Sequence, residues 1–126
     1  MDKTRYLIRQ FKLINYDFMG YHLNKSDATF HHIVKREEGG DRSIQNGAVL
    51  MPYSHEYLHL IEYIDKEKYE IINNMFKFFH ARGNIDEYDY MLIGKLLSDF
   101  EEKHGEEKRA TGKKLIKDEF LRRNFK

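Results

Sequence analysis

Four of the seven histidines of this 126-residue chain lie within one short stretch, residues 29–60. They are His31, His32, His55 and His59. Imidazole nitrogens bind divalent transition-metal ions, and histidine is the side chain whose ordinary pKa lies closest to neutral pH. This stretch is therefore the part of the sequence best equipped to bind a metal ion or to transfer a proton.

The residues around these histidines predict a strand, a loop, a second strand and a helix, in that order. A strand-like run covers 28–34, a polar loop with a pair of glycines follows, and a short apolar run covers 48–51. Pro52 interrupts the second run. Ser54 then stands where the N-cap of a helix is expected.

The spacing of the histidines predicts how they can share a site. His55 and His59 are four residues apart in the predicted helix, so their side chains lie on one face and can bind the same ion. Neighbouring residues of a strand point to opposite faces. We therefore expect His31 and His32 to have different tasks, one of them reaching the metal and the other facing elsewhere in the site.

The stretch resembles the ββα-metal motif of HNH endonucleases, most closely that of the bacterial colicin-type DNases. The shared pattern is a histidine pair, a glycine pair in the following loop, an asparagine near the second strand, and H-x-x-x-H on the helix. These positions are occupied here by His31-His32, Gly39-Gly40, Asn46, His55 and His59. The resemblance covers about a quarter of the chain and does not extend into the flanks.

The resemblance implies a role for each of these residues. His31, His55 and His59 would bind one divalent metal ion, and His32 would be the general base that activates water. Asn46 would brace the loop and orient the base through backbone hydrogen bonds, and is grouped with His32 as a catalytic position. The reaction would be hydrolysis of DNA phosphodiester bonds, giving a 5′-phosphate and a 3′-hydroxyl, with the metal stabilising the phosphate and the leaving 3′ oxygen.

The ligand set and the resemblance favour different ions. Three imidazoles and an open position suit Zn²⁺ or Ni²⁺ on ligand softness. HNH enzymes often work with Mg²⁺ or Mn²⁺, so the expected cofactor is one divalent ion chosen from these four. Lys35, Arg36 and Arg42 lie in the loop beside the predicted centre and are candidate contacts for DNA phosphates. The alternative is a solvated loop whose acidic residues cancel that charge.

A second pattern overlaps the first. The segment His55-Glu56-x-x-His59 matches H-E-x-x-H, in which Glu56 would be the general base of a zinc metallopeptidase. Its third ligand would come from downstream, from His80, Glu67 or Glu70. The peptidase hypothesis leaves the histidine pair, the glycine pair and the asparagine unexplained, so the nuclease hypothesis is preferred.

A third hypothesis is a non-catalytic module that binds nucleic acid and holds a structural metal, because the same ligands serve both kinds of site. Asn46-Gly47 is also a dipeptide typical of hairpin turns, which would give Asn46 a purely structural reason. The remaining histidines, His22, His80 and His104, are expected to be packed or solvated without a function.

Composition predicts one globular domain, 1–126, of which 40% is hydrophobic and 34% charged. The absence of cysteine excludes disulfides and the cysteine-bound zinc knuckles that brace many HNH proteins. Flanking helices must do that bracing. No signal peptide or membrane-length apolar run is present, so we expect a cytoplasmic protein that does not contact a membrane.

The expected fold is α+β and mostly helical. Apolar periodicity predicts helices over 4–18, 66–81 and 86–103, flanking a motif core at 28–64. A strand toward the end of the first helix is a competitor, because apolar residues alternate there. The expected buried stripe of the second helix is Tyr69, Ile72, Phe76 and Phe79, widened by Ile71, Met75 and Phe78. That of the third is Leu92, Leu96 and Phe100, joined by Ile93 and Leu97.

The C-terminal residues 106–126 hold eight basic and four acidic side chains on a chain whose formal net charge is +1. This asymmetry favours contact with DNA. Apolar residues among the charges predict a helix rather than a free basic arm. That helix would dock on the core, on a second copy of the chain or on a protein partner.

Overall fold

A computed structural model describes residues 2–104 and gives an α+β architecture within that range. Its helices and strands, in chain order, are α1 (Lys3–Gln10), β1 (Thr29–His32), β2 (Gly47–Leu50), α2 (Pro52–Ile64), α3 (Lys66–Arg82) and α4 (Glu87–His104). Two short 3-10 helices, Arg36–Glu38 and Ile44–Asn46, lie between the strands. The α+β class is confirmed, and β1, β2 and α2 follow one another in the predicted order. The predicted basic helix over 106–126 lies outside the described residues.

The two strands form an antiparallel pair whose register fixes the histidine pair. His31 lies opposite Ala48, and His32 lies opposite Gly47. All of β2 is buried, and a side chain on Gly47 would overlap the ring of Phe30. The prediction of a hairpin turn at Asn46-Gly47 is wrong: Asn46 ends a 3-10 helix and Gly47 begins β2 in extended backbone.

The first predicted helix is too long, because α1 ends at Gln10 instead of continuing to Phe18. Lys12 has a positive φ of 54°, and the chain beyond it is irregular. The competing strand appears only as a single bridge between Tyr16 and His22. The helix ends in a left-handed turn at Lys12, where the N–H groups of Lys12 and Leu13 donate back to the carbonyls of Arg9 and Ile8. Further along, the Asp17 carboxylate accepts from backbone N–H groups and favours a turn over a helix.

Asp17 joins this irregular segment to the start of α2. It is fully buried, and one carboxylate oxygen accepts from the N–H groups of Met19 (2.9 Å) and Tyr21 (3.0 Å). The other oxygen accepts from Met51 N–H (2.9 Å) and from the Ser54 hydroxyl. Burial raises the pKa of Asp17 to about 6, against the lowering effect of these hydrogen bonds. The carboxylate therefore satisfies donors at the N-terminus of α2.

The prediction of Ser54 as the N-cap is wrong. Helix α2 begins at Pro52, a residue favoured at the first helical position, and Met51 occupies the N-cap. Ser54 is buried inside the first turn. The cap comes from Asp17, which is distant in sequence, so no local pattern around Ser54 could reveal it.

Replacing Asp17 with asparagine should destabilise the protein by about 1–3 kcal/mol, because an amide NH₂ would face the donors of Met51 and Ser54 and leave one of them unsatisfied. Urea unfolding at pH 7 measures the change. Asp27→Asn, which changes an exposed aspartate, is the matched control. Equal stability of the two variants would show that Asp17 does not cap α2.

The helical hairpin α3–α4 follows the predicted bounds closely, but its buried faces are narrower. Tyr69, Ile72, Phe76 and Phe79 are buried as predicted, whereas Ile71 and Phe78 are exposed. In α4 the buried side chains are Asp89, Ile93, Leu97 and Phe100, and Leu92 is exposed. The α4 face is rotated toward Asp89, which forms an ion pair with Arg82 of α3.

Helix α3 carries a residue of the candidate site and lies against α2. Asp65 ends α2 and caps α3 by accepting from Lys68 N–H at 3.1 Å. The chain therefore turns back at once, and α3 packs beside the helix that holds His55 and His59. Within residues 2–104, no helix combines the length and apolar composition that crossing a membrane requires.

Candidate metal centre

Three of the four clustered histidines converge on one point. One ring nitrogen from each of His31, His55 and His59 lies within 4.8 Å of the other two, and no other group of three potential ligands is so placed among residues 2–104. The ring centroids are 5.1–5.6 Å apart. Nitrogens that bind zinc tetrahedrally are about 3.4 Å apart, so modest inward rotation of the rings would bring them to ligand distance.

His31 reaches the centre from β1 and is 2% exposed. Its Nε2 lies 2.9 Å from Oδ1 of Asn73, an oxygen that can only accept, so Nε2 carries the proton and Nδ1 keeps its lone pair. Burial, with a smaller effect of His55 and His59, lowers the pKa of His31 to about 4. The ring is therefore neutral at physiological pH, as a metal ligand must be.

His55 has its proton fixed by a similar argument. Its Nδ1 lies 2.8 Å from the hydroxyl oxygen of Thr29, and that hydroxyl gives its single proton to the carbonyl of Leu50 at 2.6 Å. Thr29 must then accept from Nδ1–H, which leaves Nε2 of His55 with its lone pair. Burial also lowers the pKa of His55.

His59 lies one helical turn beyond His55 and is the most exposed of the three. Its Nδ1 donates to Oε1 of Glu62 at 2.9 Å, and Glu62 also forms an ion pair with Lys35. Metal-bound histidines commonly donate their second N–H to a carboxylate or carbonyl oxygen, which orients the ring. Each of the three histidines has such a partner, so the donor set fits a divalent ion.

Sequence reasoning missed the three partners of these histidines. Glu62 follows His59 by three residues on the same helix, so this pair could be found from periodicity. Thr29 shares a face of β1 with His31, but its partner His55 lies 26 residues further along the chain, so spacing could not reveal that pair. Asn73 has a weaker signal: it is a polar residue beside Ile72 and Phe76 on the buried face of α3.

His32 lies beside the three ligands without belonging to their group. Its ring packs edge-on against Phe30, with centroids 5.1 Å apart, and is partly exposed. An open cleft of about 340 Å³ is lined by Phe30, His31, His32, Lys35, Arg36, Glu37, His55 and His59. The buried His31 and the accessible His32 therefore differ as strand alternation predicts, yet both face the same cleft.

Asn46 ties the end of β1 to the following loop. Its amide nitrogen donates to the carbonyls of Val34 (3.0 Å) and Asp41 (2.9 Å), and its amide oxygen accepts from Val34 N–H (2.9 Å). Gly40 must be glycine, because a Cβ there would overlap the Val34 carbonyl. Gly39 has a φ of 94°, a conformation that favours glycine. These contacts brace the loop against the segment that follows β1, and the role of Asn46 in orienting the base stays a prediction.

The three basic loop residues are placed differently. Lys35 and Arg36 line the cleft, and Arg42 does not. The Lys35–Glu62 ion pair raises the pKa of the Lys35 amine and links this lysine to His59 through the carboxylate. Arg36 is exposed and forms no ion pair with another residue in the described range. Arg42 is exposed on the loop.

The structure does not bring together the residues that the peptidase hypothesis requires. Glu56 is exposed on α2 and does not line the cleft. The third histidine comes from upstream, in β1, and none of the proposed downstream ligands belongs to the group. His80 instead donates from Nε2 to the Gly47 carbonyl at 2.7 Å and packs on Phe11, as expected of a structural histidine.

Acid should destabilise the metal-free protein through His31. The unfolded chain protonates this ring below its ordinary pKa of 6.5, whereas the folded protein does so only near 4. The stability that depends on the neutral ring is therefore complete above pH 6.5 and is lost as the pH falls toward 4, by about 3 kcal/mol. Urea unfolding in EDTA at pH 7.5 and 4.5 measures this loss, and His31→Gln should lose less. The raised pKa of Asp17 has the opposite effect and stabilises the fold as the pH falls. Asp17 is present in both proteins, so this effect does not contribute to the difference between them. Equal losses would contradict a buried neutral His31.

Comparison with protein-family models, with curated proteins and with solved structures found no match to this chain. Any function must therefore be inferred from the geometry of the cleft and the chemistry of its residues.

Proposed function

We propose that this protein is a metal-dependent endonuclease of the HNH type that hydrolyses DNA phosphodiester bonds. The observation that carries the proposal is the sharing of one open cleft by a three-histidine group and a fourth, accessible histidine. The three-histidine group offers a metal the lone pairs that its hydrogen bonds leave free. His32 is outside this group and can accept a proton. Lys35 and Arg36, which line the same cleft, favour binding of a phosphate.

His32 acts as the general base. It removes a proton from a water molecule in the cleft, and the resulting hydroxide attacks phosphorus while the bond from phosphorus to the 3′ oxygen breaks and that oxygen takes up a proton from solvent. His31, His55 and His59 would hold a divalent ion, which would supply charge neutralisation at the phosphate and at the leaving oxygen. Arg36 contacts a non-reacting phosphate oxygen from the rim of the cleft. The products are a 5′-phosphate and a 3′-hydroxyl.

Asn46 acts as a positioning residue in this scheme. It touches no reacting atom, but its three side-chain hydrogen bonds hold Val34, two residues beyond His32, and the loop that carries Arg36. Lys35 has a similar indirect role, because its ion pair with Glu62 stabilises the carboxylate that orients His59. Arg42 lies outside the cleft and would contact DNA only beyond the cleaved bond.

A structural metal site is the second candidate, and the depth of His31 favours it. A buried ligand held by Asn73 of α3 would let a metal link β1 to α2 and stabilise the fold without catalysis. Such a protein would still bind the ion and would still become more stable with it. It would not cleave DNA with any metal.

Conversion of supercoiled plasmid to nicked or linear forms tests the proposal. Purified protein is incubated in EDTA, or with added Mg²⁺, Mn²⁺, Ni²⁺ or Zn²⁺, and the 5′ ends of the products are tested for phosphate. The nuclease proposal predicts metal-dependent cleavage that survives in Glu56→Gln. Cleavage of a denatured protein substrate that is lost in Glu56→Gln would favour the peptidase. A protein that binds metal and cleaves neither substrate would favour the structural site.

A further inference from the structure

Cations of the N-terminal segment gather on one surface that the proposed mechanism does not use. Residues 1–30 contain five basic side chains, Lys3, Arg5, Arg9, Lys12 and Lys25. All five line two adjoining grooves beside α1, one of about 560 Å³ and one of about 360 Å³. The acids in this segment are Asp2, Asp17 and Asp27, and of these only Asp2 lines a groove.

The grooves connect with the cleft of the histidine centre. Arg5, Lys25 and Ser26 line both grooves, which makes them one continuous surface. Phe30 lines the smaller groove and also the cleft that holds His32. The basic grooves along α1 therefore adjoin the histidine cleft at Phe30, whose ring centroid lies 5.6 Å from the Lys3 amine. We call these two grooves together the basic track.

Most cations of the basic track are not neutralised within the described chain. The carboxylate of Asp2 caps α1 and lies 3.8 Å from the Arg5 guanidinium. Arg9, Lys12 and Lys25 are exposed and form no ion pair with any residue of the 2–104 range. Lys3 lies near Asp41, and the pKa of that carboxyl is lowered first by hydrogen bonds from Ser43 and also by the charge of Lys3. Three of the five cations therefore have no acidic partner in the described range, on a chain whose total charge is only +1. Such a local excess is a feature of surfaces that bind polyanions.

We propose that the basic track binds the sugar-phosphate backbone of DNA that flanks the bond in the histidine cleft. This inference deepens the proposed function and rests on it for the identity of the substrate. Arg5 and Arg9 lie about 6 Å apart along one face of α1, and Lys12 lines the same groove just beyond the end of the helix. Successive phosphates of one DNA strand advance about 3.4 Å along the duplex axis, so this row of cations is long enough to contact more than one phosphate. A single small anion would need no array of this extent.

An anionic lipid surface is the rival occupant, because Ile14 is 73% exposed in the larger groove. DNA is favoured because the basic track adjoins the histidine cleft at Phe30, and a membrane bound to the track would make no use of that cleft. A DNA strand would use both at once.

The test measures DNA affinity and its dependence on salt. His32→Ala serves as the background so that the DNA stays intact, and the track variant adds Arg9→Gln, Lys12→Gln and Lys25→Gln. Binding of a fluorescein-labelled 20-base-pair duplex is followed by anisotropy between 50 and 300 mM NaCl. The track variant should bind at least about tenfold more weakly at the lowest salt. Its plot of log affinity against log salt should be flatter by about 2–3, one for each lost phosphate contact.

A matched control removes the same charge elsewhere. Lys66→Gln, Lys77→Gln and Lys95→Gln change three exposed lysines of α3 and α4 that line neither the track nor the cleft. This control should bind within about twofold of the background, with at most a small change in salt slope. Equal weakening in both variants would overturn the proposal, because only total charge would then matter. Loss of binding to phosphatidylserine vesicles with unchanged DNA binding would also overturn it.

Failure of the track and failure of the nuclease have different signatures. The binding assay uses a cleavage-deficient background, so its outcome does not depend on catalysis. Track-dependent DNA binding by a protein that never cleaves plasmid would support the track and refute the nuclease. Plasmid cleavage combined with unchanged affinity in the track variant would support the nuclease and refute the track.

Discussion

Replacing His32 with alanine should lower the rate of DNA cleavage by at least about two orders of magnitude, the usual contribution of a positioned general base. The affinity for metal should not change, because His32 is outside the group formed by His31, His55 and His59. Its side chain makes no hydrogen bond with another described residue and packs mainly on Phe30. The loss should therefore fall on catalysis rather than on folding.

Three measurements separate these effects. Single-turnover cleavage gives the rate, isothermal titration gives the metal affinity, and urea unfolding gives the stability. His22→Ala, which removes an exposed histidine outside the cleft, is the matched control and should cleave at the wild-type rate. A His32→Ala protein that cleaves at the wild-type rate would show that another group activates the water.

Replacing His55 with alanine should remove metal binding and cleavage together. Two imidazoles would remain, one deep and one exposed, and the metal affinity should fall by more than about 100-fold, beyond the 10–100-fold typical of losing an outer partner. The stabilisation that metal binding gives the folded state should disappear as well. Thermal unfolding with and without excess Zn²⁺ tests this directly: the wild-type midpoint should rise and that of His55→Ala should not.

A graded companion variant sharpens this prediction. Thr29→Val removes the acceptor for His55 Nδ1–H but keeps the branched shape of the side chain. Its metal affinity should fall by about 10–100-fold, less than in His55→Ala. If His55→Ala keeps the wild-type affinity and thermal shift, the three-histidine group is not the metal site.

Local sequence patterns predicted the relative placement of the four histidines in the candidate site. The four-residue spacing of His55 and His59 fixes a shared helix face wherever that helix packs. Alternation along β1 separates the buried His31 from the accessible His32. These rules depend only on residues close in sequence, and the structure has all four histidines around one cleft.

Long-range contacts account for what sequence reasoning missed. The cap of α2 comes from Asp17, and the acceptor for His31 comes from Asn73, which lies 42 residues further along the chain. Neither pairing follows from spacing or periodicity. The overlong first helix has a different origin, because α1 ends in a left-handed turn at Lys12 that apolar periodicity does not reveal.

The basic track shows a different limit. Its cations come from α1, from Lys12 just beyond that helix and from Lys25 in the segment before β1, and only the folded arrangement places them on one surface. The sequence predicted phosphate contacts at Lys35, Arg36 and Arg42 because those residues adjoin the histidines. The structure adds a more extended basic surface on the side of Phe30.

The most direct measurement is a metal titration of DNA cleavage by protein stripped with EDTA. Plasmid nicking should be absent from the stripped wild-type protein and should rise to a plateau near one equivalent of an activating ion that binds tightly, such as Zn²⁺ or Ni²⁺. Stripped His55→Ala and His32→Ala should stay inactive at the same metal concentrations. Cleavage by the stripped protein in EDTA, or undiminished metal-dependent cleavage by His55→Ala, would contradict a metal-dependent nuclease built on this histidine centre.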